Sequence, residues 1–97
     1  IAIEVIDLRT IYPFDQETVV ESVRKTGRLL VVHEGPRSFG VGAEIVSFAT
    51  EEAFMYLDAP PRRLTGTDTI IPLPASEHFY FVQPEHIVDA VLELIET

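Results

Sequence analysis

Leu29-Leu30-Val31-Val32 is the stretch that most limits what this chain can fold into. Four consecutive large apolar residues leave no polar face. A strand of that kind is buried on both sides, the pattern of a parallel sheet covered by helices rather than of a half-wet antiparallel one. The run lies within a strand-length segment, Arg28 to His33, and flows into a charged, glycine-rich turn: His33-Glu34-Gly35-Pro36-Arg37-Ser38-Phe39-Gly40-Val41-Gly42. In open parallel sheets, ligands and partners gather at the carboxyl ends of strands. Function, if local, belongs at this turn.

The flanking segments agree with that frame. Ile3-Glu4-Val5-Ile6-Asp7-Leu8 alternates and is rich in β-branched residues, so it reads as a strand. Pro13 breaks it. Asp15 suits a helix N-cap, with Phe14 and Val19 placed for a hydrophobic staple. Val19, Val20 and Val23 mark that helix's inner face, Arg24 and Lys25 its cationic last turn, and Gly27 its left-handed end. A second helix is expected from Gly42 to Leu57, with Ala43, Ile45, Val46, Ala49, Ala53, Phe54 and Leu57 inward, stopped by Pro60-Pro61. Arg62 to Gly66 reads as a short third strand. Thr67 to Val82 is irregular and carries an aromatic cluster, Phe79-Tyr80-Phe81. Pro84 opens the last helix. Its apolar stripe is Ile87, Val88, Val91, Leu92 and Ile95, and its acidic face is Glu85, Asp89, Glu93 and Glu96. The order strand, helix, strand, helix, strand, loop, helix predicts a three-layer α/β/α domain over residues 1–97 with a mainly parallel sheet. Three strands are few for such a sheet, so a further strand is expected upstream of Ile1 or from a partner.

Charge narrows the partners. The 97 residues carry net charge −9. All seven Lys and Arg lie at or before Arg63, while six acids and no Lys or Arg follow it. Such a surface repels phosphate backbones, which argues against nucleic acid. It suits a basic protein partner, and it also serves solubility alone. There is no apolar run long enough to span a membrane. There is no cysteine, which removes disulfides, thiolate nucleophiles and cysteine-ligated metals.

The chemistry-bearing residues do not assemble into an active site. Gly40-Val41-Gly42 before a helix suggests an anion site, but a dinucleotide fingerprint needs glycine or alanine where Ile45 stands. A tight turn allowing close backbone approach is the better reading. His33 and Glu34 are adjacent on a strand and point to opposite faces, so they make a poor acid–base pair. Glu34 is expected to bond turn amides or Arg37, whose forked donors also suit a carboxylate. His33, His78 and His86 lack metal-ligand spacing. Ser38 and Ser47 lack a nucleophile-elbow context. No residue is assigned a catalytic, cofactor or metal role.

Certain segments, in this order and spacing, resemble a known family: Glu4–Ile11 with Pro13 and Asp15, Lys25–Leu29, His33-Glu34 with Pro36-Arg37, Gly42–Ile45, Leu57–Pro60, and Arg63–Gly66 with Asp68 and Pro72. The family is the transketolase C-terminal-like domain of the beta subunit of thiamine-diphosphate-dependent 2-oxoacid dehydrogenases. Phe79-Tyr80 before the last helix is closer to the branched-chain than to the pyruvate enzymes. Two positions depart from the family: Phe39 stands where a glycine is usual, and Val41 where an aromatic is usual. The chain also begins at what would be the family's second strand, so the first strand and helix are expected to be missing.

The resemblance implies an assembly domain of a multi-subunit enzyme that oxidatively decarboxylates a 2-oxoacid and passes the acyl group to lipoyl-lysine. Thiamine diphosphate and Mg would belong to the full enzyme, bound elsewhere. The implied partners are an alpha subunit, a second beta subunit and the basic subunit-binding domain of a dihydrolipoyl acyltransferase. The implied location is the cytoplasm, or the mitochondrial matrix in a eukaryote. Arg37, Phe39, Gly40, Gly42 and Glu44 are the candidate subunit-contact residues. Asp68, Glu85, Asp89 and Glu93 are the candidate docking residues. The alternatives are a stand-alone α/β binding or signalling module and a Rossmann-type enzyme. A receiver-like module needs a phosphoacceptor Asp at a strand's end, whereas Asp7 precedes Leu8 within the strand.

Overall fold

The computed structural model describes residues 2–66 and 82–97. The first helix, α1, runs from Gln16 to Thr26. It starts where it does because Asp15 caps it: one carboxylate oxygen accepts from the Thr18 amide at 3.1 Å and the other from the Thr18 hydroxyl at 2.6 Å. The Thr18 hydroxyl first, and its amide second, hold the Asp15 carboxyl below the usual carboxylate range. The helix stops at Gly27, which takes a left-handed φ of 76° and donates to the Val23 carbonyl at 2.8 Å. Only glycine adopts that conformation at little cost. A side chain there would also meet the Asp58 carboxylate.

The chain then enters β1, Leu30–Val32, followed by α2, Val41–Ala53, a 3-10 turn over Phe54–Tyr56, and β2, Arg62–Leu64. The two strands are parallel, pairing Leu30 with Arg62, Val31 with Arg63 and Val32 with Leu64. The final helix, α3, spans Pro84–Glu96 with proline in its first turn. It packs on both strands and is tied to them by Arg28 Nε donating to the Leu94 carbonyl at 3.2 Å and by an Arg62–Glu93 ion pair at 3.6 Å. This is an α/β arrangement with a small parallel sheet.

The core lies where α1 crosses α2. Val19, Ile45 and Ala49 form its buried centre, and Leu8, Phe14, Leu29, Val31, Val41 and Phe48 close around it. Ala49 is fully buried, so its small side chain lets the two helices approach. Phe14 and Phe48 meet edge to face with centroids 5.3 Å apart, a favoured aromatic geometry.

Several sequence expectations change. Residues 3–8 do not form a strand: Val5 is 87% and Ile3 62% exposed. Strand propensity is realised only against a neighbour, and among the described residues β1 pairs with β2 alone. Glu4 instead bonds Lys25 of α1, which lowers the proton affinity of its carboxyl and raises that of the lysine. The second and third strands are three residues each, shorter than expected. The α-helical hydrogen bonding of α2 ends at Ala53, four residues early, and Phe54 faces out at 64% exposure. On α3 the buried residue is Leu94, while Ile87, Val88, Leu92 and Ile95 remain exposed. The stripe was centred one position away from the contact that the sheet makes. Asp68 and the Phe79–Phe81 cluster lie outside the described residues.

Two outcomes test this account. Gly27→Ala is expected to cost at least about 1 kcal/mol, from the left-handed backbone and the Asp58 contact, read as a lower urea midpoint. For Asp15 the folded carboxyl has the lower pKa, so its contribution is present above the ordinary value of about 3.9 and lost as pH falls through the folded value. Asp15→Asn keeps a neutral cap. Its deficit in thermal midpoint against the parent should therefore be largest near neutrality and vanish in strong acid.

Candidate functional site

The turn at the carboxyl end of β1 is built by two sets of backbone bonds. His33 N–H donates to the Leu64 carbonyl at 3.1 Å, extending the β1–β2 ladder by one residue. Gly66 N–H then donates to the Gly35 carbonyl at 3.0 Å, pinning the chain after β2 beneath the turn. Arg37 and Arg63 close it from the side. Arg37 Nη1 donates to the Arg63 carbonyl at 3.3 Å, and Arg63 Nη1 donates to the Arg37 carbonyl at 2.6 Å. Two like-charged side chains therefore hold each other's backbone. The expected partner of Arg37, the Glu34 carboxylate, is not the one it uses.

Gly40 caps α2 with an extended backbone and no side-chain bond, its carbonyl accepting from Ala43 and Glu44. Gly42, in the first turn, is buried against the His33 ring. A Cβ at Gly42 would lie 2.6 Å from His33 Nε2, 2.8 Å from its Cδ2 and 3.3 Å from Arg63 Cδ. One at Gly40 would strike the Pro36 carbonyl and come within 3.1 Å of His33 Cε1. The two glycines thus make room for an imidazole rather than for a phosphate. Among the described residues His33 Nε2 is the buried side-chain polar atom without a hydrogen-bond partner. Desolvation first, and the Arg63 guanidinium second, hold the His33 imidazole below its usual proton affinity.

Phe39 projects from this locked frame. Its φ is 58°, in the left-handed region, and its side chain is fully exposed. The structure thus brings Arg37, Gly40 and Gly42 together with His33 and Arg63, and leaves Phe39 and Glu44 on the outside. Glu85, Asp89 and Glu93 all lie exposed on α3, and of these Glu93 is paired, with Arg62. The roles of His33 as filler and Arg63 as clasp were missed. The signal was present in the parallel order of the strands, which sets Arg63 beside Val31, and in a G-x-G whose small residues demand a bulky neighbour.

Two further properties limit what the site can do. Among the described residues no three His, Asp or Glu side chains converge as a metal site. A magnesium diphosphate needs such oxygen ligands, and the space under the turn is already filled by an imidazole beside a guanidinium. These residues do not fit thiamine diphosphate with its metal, and no step is assigned to them through that cofactor. No helix among the described residues is long and apolar enough to cross a membrane.

The fold and its turn define an α/β domain with a parallel sheet and a filled strand end. The sequence profile described as "Transketolase, C-terminal domain" matches residues 1–87, and the chain belongs to that family. It is similar to the pyruvate dehydrogenase E1 component subunit beta of Mycoplasma pneumoniae, 51% identical over 94 residues, covering 97% of this chain and 29% of that protein. The corresponding subunit of Acholeplasma laidlawii is 47% identical over 94 residues, with the same coverage. The 2-oxoisovalerate dehydrogenase subunit beta of Pseudomonas aeruginosa is 45% identical over 93 residues, covering 96% of this chain and 26% of that protein. The chain therefore spans under a third of the length of these relatives. Pyruvate and branched-chain relatives match almost equally well, so the likeness does not separate the two substrates.

Phe39→Gly is expected to stabilise the domain. Relief of the left-handed backbone, about 1–2 kcal/mol, is partly offset by the looser unfolded chain, leaving a net gain of roughly 0.5–1 kcal/mol in chemical denaturation.

Proposed function

We propose that this chain is the assembly domain of the beta subunit of a 2-oxoacid dehydrogenase, in the decarboxylating component that uses thiamine diphosphate. The observation that carries the reading is identity of 45–51% to such beta subunits across almost the whole chain. In this reading the reaction takes place elsewhere in the enzyme, and this domain contributes contacts to the alpha subunit and a second beta subunit. The turn from Arg37 to Glu44 serves as a contact element. It is rigid, because the Arg37–Arg63 clasp holds it, and it presents an exposed aromatic ring. Rigid aromatic groups make good interface anchors because little side-chain entropy is lost on binding.

The acidic face of α3 supports the second half of the proposal, docking of the acyltransferase core through its basic subunit-binding domain. Glu85 and Asp89 are exposed, with Glu93 beside them. Complementary charge of this kind raises association rates and sets register. Asp68 is retained as a candidate from the family pattern alone.

The test uses the intact beta subunit assembled with its alpha subunit. Charge reversal at Glu85 and Asp89 together should slow association with the subunit-binding domain at least about tenfold at low salt, with the gap narrowing as salt is raised, while decarboxylation of the 2-oxoacid by the component itself is unchanged. Unaltered, salt-independent binding would remove α3 from the docking surface. Turnover of a 2-oxoacid by these 97 residues alone, supplied with thiamine diphosphate and Mg, would overturn the assembly reading.

A further inference from the structure

The His33 imidazole is the group in this molecule that no role yet described requires to be titratable. A leucine or phenylalanine would fill the same space. The half-buried ring takes up the room the turn's glycines leave: a side chain at Gly35 would border Nδ1, one at Gly40 Cε1, and one at Gly42 Nε2 and Cδ2. Its Nε2 is buried with no acceptor for a proton. We propose that His33 is a pH-sensitive latch: as a neutral imidazole it holds the 35–42 turn against the start of α2, and as an imidazolium it releases that turn and the Phe39 it displays.

Three features oppose a charge at this position. Protonation would place a second N–H on the ring, and the one at Nε2 would face Gly42 with nothing to receive it. A buried donor without a partner costs more than the bond it could have made. The Arg63 guanidinium, fixed by its bond to the Arg37 carbonyl, adds repulsion from β2. The amino-terminal end of α2, with its unpaired amides, carries a partial positive charge of its own. The remaining charged groups on the elements around His33 are Glu34 and Arg37 in the turn, Glu44, Glu51 and Glu52 on α2, Arg62 on β2, and Glu85, His86, Asp89, Glu93 and Glu96 on α3. Of these, Arg37 and Arg62 are engaged with Arg63 and Glu93. Glu34, Glu44, Glu51, Glu52, Glu85, Asp89 and Glu96 are exposed to solvent, where screening weakens their pull. His86 is exposed too and accepts the Gln83 amide at its Nδ1, at the α3 cap.

The direction follows from linkage. The unfolded or released state binds the proton at the ordinary histidine value of about 6.5, and the latched state binds it less readily. The latch is therefore fully closed above that value and weakens as pH falls below it. It is a property of the turn itself, independent of whether the turn contacts another subunit.

Hydrogen–deuterium exchange of the 33–44 segment in the intact protein, corrected for intrinsic chemistry and read from about pH 7.5 to about pH 5.5, tests it. Protection is expected to fall roughly three- to tenfold over that range in the parent and to stay flat in His33→Gln, with the α3 segment unaffected by the variant. A titration of isotope-labelled histidine resonances supplies the second readout without any substitution: the His33 midpoint should lie below about 6.5, with protection lost as pH falls from that value toward the midpoint. A His33 midpoint at or above the ordinary value overturns the latch. So does protection that is insensitive to pH, or that falls equally in His33→Gln.

Discussion

Everything in this domain is hung on the crossing of α1 and α2 at Ala49. A methyl side chain with no exposed surface lets the helices come together, and Val19 and Ile45 fill the space on either side of it. Close packing of this kind tolerates little change in volume. Leu29, just before β1, and Val31 within it pack against the same cluster. Two strands that short could not stand alone. Both pack against α2, which places the turn that follows β1 beside the start of that helix.

The turn then differs in kind from the core. It is held by polar groups, many of them backbone, and by one ring. Glycine at 40 and 42 creates a recess, His33 fills it, and the Arg37–Arg63 pair shuts it. A sheet's carboxyl edge is the usual place for ligands, and here the edge is plugged. The filled recess at the end of β1 supports the proposed reading of the turn as a contact element.

The sequence made some of this legible and some not. Local signals survived: the Asp15 cap, the Gly27 stop, the proline opening of α3 and the parallel order were all visible because each depends on a few neighbouring residues. What failed depended on distant ones. Residues 3–8 have the composition of a strand, yet a strand exists only by pairing. Phe54 continues the apolar period of α2, yet the backbone tightens before it and turns it outward. On α3 the apolar residues offer more than one possible stripe, and the contact with Arg28 and the strands selects Leu94. At the turn, Gly40 and Gly42 were recognisable as a close approach, but what approached them was set by strand register, which periodicity does not encode.

Arg62 and Arg63 sit side by side on β2 and, as neighbours on a strand must, reach in opposite directions. One grips Glu93 of α3 and the other grips the turn. The short strand is in effect a crossbar between the two proposed contact surfaces. A partner whose binding shifted the strand from one proposed surface would be felt at the other, and thermodynamic reciprocity would make the effect equal in both directions. Occupancy at one proposed surface would then carry information about the other, with two adjacent arginines as part of the connection.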